Sequence, residues 1–170
     1  MRLHDIVAST MATVVCSTCA TAGPLWQPSD FDGAFVRIVD DATNGCWTNI
    51  GEVRKYAEDQ LALAGFTVVE EPEKKADLPL PLLRENYTAY LLHVNASRQD
   101  NGVCFGYLSS SFWGAVAPGY DQSKLIVGQI GPPYVWSVWN KENLNQYMYD
   151  QVKDTIEAWV ELGEVSGSPN

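Results

Sequence analysis

A chain of 170 residues, 46% of them hydrophobic, has the size and apolar content of one packed domain. Its 11 basic and 21 acidic residues give a formal charge of −10, and the basic doublets Arg54-Lys55 and Lys74-Lys75 each stand beside carboxylates. Nucleic acid and anionic membrane surfaces require clustered cations that displace counterions, so neither is an expected partner.

Residues 1–22 read as a cleaved secretory signal peptide. Arg2 supplies a basic start, residues 6–15 a weakly apolar run, and Ala20-Thr21-Ala22 the small residues of a cleavage site ahead of Gly23-Pro24. A lipoprotein anchor is the neighbouring reading, but neither Val14-Val15-Cys16 nor Ser17-Thr18-Cys19 has the expected lead-in. No stretch reaches the ~20 strongly apolar residues that span a bilayer. The expected location is therefore periplasmic or secreted, with no transmembrane segment in the mature chain. Cleavage would remove Arg2, Asp5, Cys16 and Cys19. Charge balance is then unchanged, and Cys46 and Cys104 remain in an oxidising compartment, where a disulfide between them is expected.

Residues 23–33 form an irregular lead-in, residues 34–163 a single α+β domain, and residues 164–170 a small, polar tail expected to be disordered. The first strand, residues 34–39, is apolar and β-branched, and Asp40-Asp41-Ala42-Thr43-Asn44-Gly45 ends it with turn chemistry. From Asn49, apolar residues recur at Ile50, Val53, Ala57, Leu61 and Ala64, one stripe of a helix. Asn49 with Glu52 resembles a capping box, and Gly65 is placed to stop the helix. Residues 66–70 predict a second strand, completing a strand-helix-strand unit, and residues 71–81 a charged, proline-bearing loop.

Residues 87–96 and 103–116 are rich in β-formers and flank a polar turn at 97–102, which predicts a long hairpin. Residues 125–130 predict another strand, closed by Gly131-Pro132-Pro133, and residues 134–139 are a candidate for one more. Leu144, Met148, Val152, Ile156 and Trp159 mark the buried stripe of a final helix. The pattern predicts a two-layer α+β sandwich, a mixed or antiparallel sheet of about five strands with both helices on one face, in the order β-α-β-β-β-β-α.

Few residues carry recognisable chemistry. Gly102-Val103-Cys104-Phe105-Gly106 has the spacing of a nucleophile elbow. Its flanks read as strand, however, and a cysteine held in a disulfide cannot attack. His93 alternates with apolar neighbours and reads as a structural or surface histidine. One histidine with two oxidised cysteines cannot build a zinc site, and Asp40 to Gly45 lacks the alternating oxygens of a calcium loop. Glu70-Glu71 and Asp40-Asp41 sit at strand ends, and Ser109-Ser110-Ser111 has no matching base. Asn86-Tyr87-Thr88 and Asn95-Ala96-Ser97 match the glycosylation sequon at a frequency close to chance. No catalytic residue, metal or cofactor is assigned.

What stands out is an aromatic surplus of six Trp and eight Tyr. Trp113, Tyr134, Trp136 and Trp139 crowd around the proline-rich turn. Such rings build either a core or a contact surface, and the candidate binding face joins the loop at 114–119 with residues 131–139. The leading functional expectation is a non-catalytic binding module of the cell envelope whose partner is an unknown protein or envelope component. One alternative is a small hydrolase-type enzyme using carboxylates with His93, which requires His93 to meet an Asp or Glu. The other is a structural subunit of an oligomer. Substrate, partner and oligomeric state are not written in the sequence.

Overall fold

A computed structural model describes residues 26–71, 86–116 and 126–165. The expected signal peptide, most of the loop after residue 71, part of the loop at 114–119 and the last five residues lie outside them. The elements are β1 (Gly33–Asp40), α1 (Ile50–Leu63), β2 (Tyr87–Arg98), β3 (Cys104–Val116), β4 (Ile126–Gln129), β5 (Tyr134–Asn140) and α2 (Asn145–Val165). The sheet is mixed: β1 and β2 run parallel, while β3 is antiparallel to β2, β4 and β5.

Register shows that β4 and β5 are two halves of one interrupted strand. Trp113 pairs with Gln129 and Ser110 with Tyr134, so residues 130–133 stand opposite only Ser111 and Phe112. The excess bulges out, as extra residues in a ladder must. Pro132 and Pro133 lack the N–H needed to close it. The bulge is anchored from both sides: Ile130 N–H donates to Phe112 O at 2.8 Å, and Ile130 O accepts the Trp159 indole N–H at 3.0 Å.

Alternation along the strands decides what is buried. Tyr90, Leu92, Val94 and Ala96 of β2 share a face with Ala34, Val36 and Ile38 of β1 and with Phe112, Ser110, Leu108 and Gly106 of β3. Against this face lie Val53, Ala57 and Leu61 of α1 and Leu144, Met148, Val152, Ile156 and Trp159 of α2. Both helices thus cover one side of the sheet, the two-layer α+β sandwich that the periodicities predict. Trp159 is the largest fully buried side chain; its ring stacks on Phe112 at 3.8 Å between centroids and on Trp26, with Phe66 beside it at 5.4 Å. Trp26 and Phe31, from the lead-in, therefore belong to the periphery of the core.

Three local expectations differ from the structure. Asn49 stands at the start of α1 but makes no side-chain cap; its amide oxygen accepts the Trp47 indole N–H at 2.9 Å and its nitrogen donates to Asn145 O at 3.4 Å. The side chain joins the starts of the two helices instead of capping one. Residues 66–70 do not form a strand. They make one parallel bridge, Ala34 with Val68, closed by Ala34 N–H to Thr67 O and Val69 N–H to Ala34 O. Phe66 turns inward to the core and Glu71 turns to Arg37 and Arg54, so the segment leaves the sheet edge after one contact. The helix α2 runs through Val165, past the expected start of the tail.

The end of α1 follows the sequence closely. Phe66 N–H donates to Leu61 O at 3.0 Å and Gly65 N–H to Ala62 O at 3.1 Å, with Gly65 at φ +95°, a left-handed residue that satisfies the last carbonyls. Cys46 and Cys104 are bonded, with Cα atoms 5.6 Å apart across 58 residues of sequence. A loop of that size contributes about 4 kcal/mol on the chain-entropy account. Around it the end of the domain is tightly joined: Leu144 N–H donates to Cys46 O at 2.7 Å, and the Arg98 guanidinium donates to the carbonyls of Asn44, Gly45 and Gly102.

Candidate binding face

The residues that alternate away from the helices form a second face, and the registers lay it out in rows. Val39, His93, Ser109 and Val135 lie side by side from β1 to β5. Asn95, Tyr107 and Ser137 form the next row, and Ser97, Phe105 and Trp139 the one after. In the opposite direction come Arg37, Leu91 and Ser111, then Phe35, Ala89 and Trp113.

Exposure is graded along this face. Phe35 and Ala89 are buried, and Arg37 is nearly so, ion-paired with Glu71 at 2.7 Å and lying over the Phe35 ring. Towards the β2–β3 turn the face opens: Phe105 is 53% exposed, Tyr107 41%, Val135 65% and Trp139 74%. Among the described residues seven large apolar side chains are exposed, and five of them, these four with Val39, lie here. Single exposed apolar residues are ordinary, whereas Phe105, Tyr107, Val135 and Trp139 lie on adjoining positions of β3 and β5, with Val39 apart on β1. Phe105 and Trp139 meet edge to face at 6.2 Å and, with Gln99, Asn101 and Val103, line a shallow cleft of about 210 Å³. Another cleft, of about 320 Å³, lies between the helices and is lined by Leu63, Ala64, Val160 and Glu157 among others.

The four aromatic residues singled out from sequence do not share a face. Trp113 and Trp139 belong to the open side, Trp113 with its indole N–H donated to Ser111 Oγ at 2.9 Å. Tyr134 and Trp136 alternate to the helix side, where they stack on each other at 5.8 Å and Trp136 packs against the core. Closeness in sequence suggested one patch, but a strand separates alternate residues to opposite sides. Phe105, Tyr107 and Val135 are the residues that sequence reasoning passed over. Their signal was the period-two pattern of β3 and β5, legible once the covered parity is known.

His93 does meet a carboxylate. Its Nε2 lies 2.9 Å from Asp41 Oδ2, and its ring stands edge-on to Tyr107 at 5.5 Å. Neither His93 nor Asp41 lines either cleft described above. Asp40 does not join them; its carboxylate accepts Ala42 N–H at 3.0 Å, a local turn. Glu71 bridges Arg37 and Arg54, while Glu70 is exposed. The Gly-x-Cys-x-Gly spacing has a structural origin: Gly102 holds φ +82° in the hairpin turn, and at Gly106 a β-carbon would overlap the backbone of Asn95 and Ala96 on the neighbouring strand. Of the three serines, Ser109 and Ser111 face the open side and Ser110 the core.

Beneath Ser110 lies the one strongly perturbed group among the described residues. The Tyr90 hydroxyl is fully buried, 2.8 Å from Thr155 Oγ1, and its pKa is pushed up to about 12 by burial, against the opposing effect of the Thr155 and Ser110 hydroxyls. Thr155 Oγ1 also lies 2.7 Å from Gln151 O, so its own proton goes to that carbonyl and Tyr90 donates to Thr155. The phenol is a polar tie inside the core, with no route to a substrate.

No protein-family model matches this chain, and no curated protein matches it. Among solved structures, a neuraminyllactose-binding hemagglutinin homolog from Helicobacter pylori superposes on 84% of this chain and 82% of its own, with 14% identity and a TM-score of 0.31. At that score the superposition carries no functional inference.

Proposed function

We propose that the protein is an exported, non-catalytic binding module of the cell envelope that engages its partner through the open face of the sheet. The observation that carries this reading is the clustering of Val39, Phe105, Tyr107, Val135 and Trp139 on one face, with the hydroxyl and amide groups of Ser109, Ser137 and Asn95 between them. Aromatic anchors interleaved with small polar groups, with the charged groups of this face held in the Arg37–Glu71 and His93–Asp41 pairs at its β1 side, are the composition of recognition surfaces rather than of solvated ones. A buried disulfide in a chain of this size supports an oxidising compartment. The test is co-sedimentation of the purified protein with washed envelope membranes. Phe105→Ala with Trp139→Ala should abolish binding while leaving the melting temperature within a few degrees of wild type, and Leu63→Ala on the helix side should leave binding intact. Unchanged binding by the double variant would reject the face.

A second reading rests on the His93–Asp41 pair, a hydrogen-bonded base and carboxylate with Ser109 directly across the strand from His93. It makes the protein a small hydrolase-type enzyme. His93→Ala separates the two readings: a binding module keeps envelope co-sedimentation, whereas an enzyme loses turnover of a generic ester such as p-nitrophenyl acetate without loss of fold.

A further inference from the structure

Among the described residues β5 pairs only with β3, so its other edge presents the main-chain N–H and C=O groups of alternate residues within Tyr134–Asn140 without a strand partner. Such edges are ordinarily guarded by charges, prolines or bulges, because they are templates for another strand. Here the guard stops at Pro133, where the bulge ends. The next seven residues, Tyr134-Val135-Trp136-Ser137-Val138-Trp139-Asn140, carry no charge in a chain whose net charge is −10.

This heptad is self-complementary. Antiparallel pairing with a second copy about a two-fold axis at Ser137 sets Val135 opposite Trp139, Trp136 opposite Val138 and Tyr134 opposite Asn140. Both tryptophans fall on a valine, the aromatic and β-branched combination that favours cross-strand pairing. Shifting the axis by one residue sets Ser137 opposite Val135 or Trp139 and loses the match. An axis between residues turns the open face of one copy to the helix face of the other. Flanking charges stay apart in the centred register: Lys141 falls opposite Pro133, and Glu142 opposite Pro132. Val135 and Trp139, 65% and 74% exposed in the single chain, cover one another twice, once on each side of the axis.

We propose that β5 is a homodimerisation edge: two copies join β5 to β5, antiparallel about Ser137, into one continuous sheet with both helical layers on the same side. The two open faces then become a single surface, and this assembly does not depend on what that surface binds.

The experiment is sedimentation velocity on the oxidised full chain over a series from micromolar to submillimolar concentration. Wild type should show a reversible monomer–dimer equilibrium. Ser137→Lys sets two cations across the axis and should raise the dissociation constant by about fivefold or more, with circular dichroism unchanged and the melting temperature unchanged at concentrations where the wild type is monomeric. Independently of that variant's fold, Ser137→Cys should give a reducible cross-linked dimer above the wild-type background, because residue 137 faces its own copy. Val135→Cys should not, because residue 135 faces Trp139. A wild type that stays monomeric throughout, a dimer that Ser137→Lys leaves intact, or equal cross-linking at 135 and 137 would each overturn the proposal.

Discussion

The two faces of this sheet are made by the same strands with the same alternation, yet they do opposite things. On the helix side Tyr90, Leu92, Leu108 and Phe112 are buried against α1 and α2, and the layer closes around Trp159. On the open side Phe105, Tyr107, Val135 and Trp139 are just as apolar and remain in contact with water. Burial of such side chains is worth about 1.5–3 kcal/mol each, so the open face forgoes stabilisation that the helix face takes. That exposed apolar surface is the ground on which the open face is proposed as a binding face.

Substitutions on the two faces should separate these roles. The largest effect is expected from Trp159→Ala, which removes the ring at the centre of the aromatic stack and the donor that holds the bulge at Ile130. Urea denaturation should show a loss of about 3–5 kcal/mol, and a loss below about 1 kcal/mol would mean that this core repacks. Removal of the disulfide by Cys46→Ala with Cys104→Ala should cost about 4 kcal/mol, read as a drop in urea midpoint that reductant reproduces in the wild type.

Next comes a pH effect confined to the helix side. Below pH 10 the Tyr90 phenol is protonated in both folded and unfolded chains and contributes no pH dependence. Between pH 10 and about 12 the unfolded chain ionises while the buried phenol keeps its proton, so stability falls as pH rises. The expected loss approaches about 3 kcal/mol across that window, and Tyr90→Phe should flatten it. An alkaline profile unchanged by Tyr90→Phe would place the sensitivity elsewhere.

The sharpest comparison is also the smallest in energy. Trp136 and Trp139 are three residues apart on β5, and Trp136→Ala should destabilise by about 1–2 kcal/mol because its ring packs on the core. Trp139→Ala should change stability by less than about 0.5 kcal/mol and act instead on envelope binding. Equal destabilisation by the two would erase the distinction between the faces.

Much of the architecture was legible beforehand because it rests on period and local chemistry. The stripe from Val53 to Leu61, the terminating Gly65, the hairpin around residues 97–102 and the stripe ending at Trp159 each follow from one segment alone. Asn49 was misread because its side chain had two available uses, and only the position of Asn145, 96 residues later, made the second one accessible. Residues 66–70 have strand-like composition, but composition does not count how many backbone partners an edge supplies, and β1 supplied one bridge. The candidate site was half legible: Trp113 and Trp139 reach the open face, while Tyr134 and Trp136 turn to the helices.

By itself the sequence determined the two α-helices, the apolar alternation of the strands, the availability of Cys46 and Cys104 for pairing, and the acidity that argues against polyanionic partners. Tertiary structure alone decided which parity of each strand was covered, that β4 and β5 continue one line across a bulge, and that among the described residues the uncharged strand β5 pairs on one side only. The reason is physical: alternation specifies two faces but not which one the helices meet. That choice depends on contacts between segments far apart in the chain, where Trp159 can bury its ring and hold the carbonyl of Ile130 at the same time.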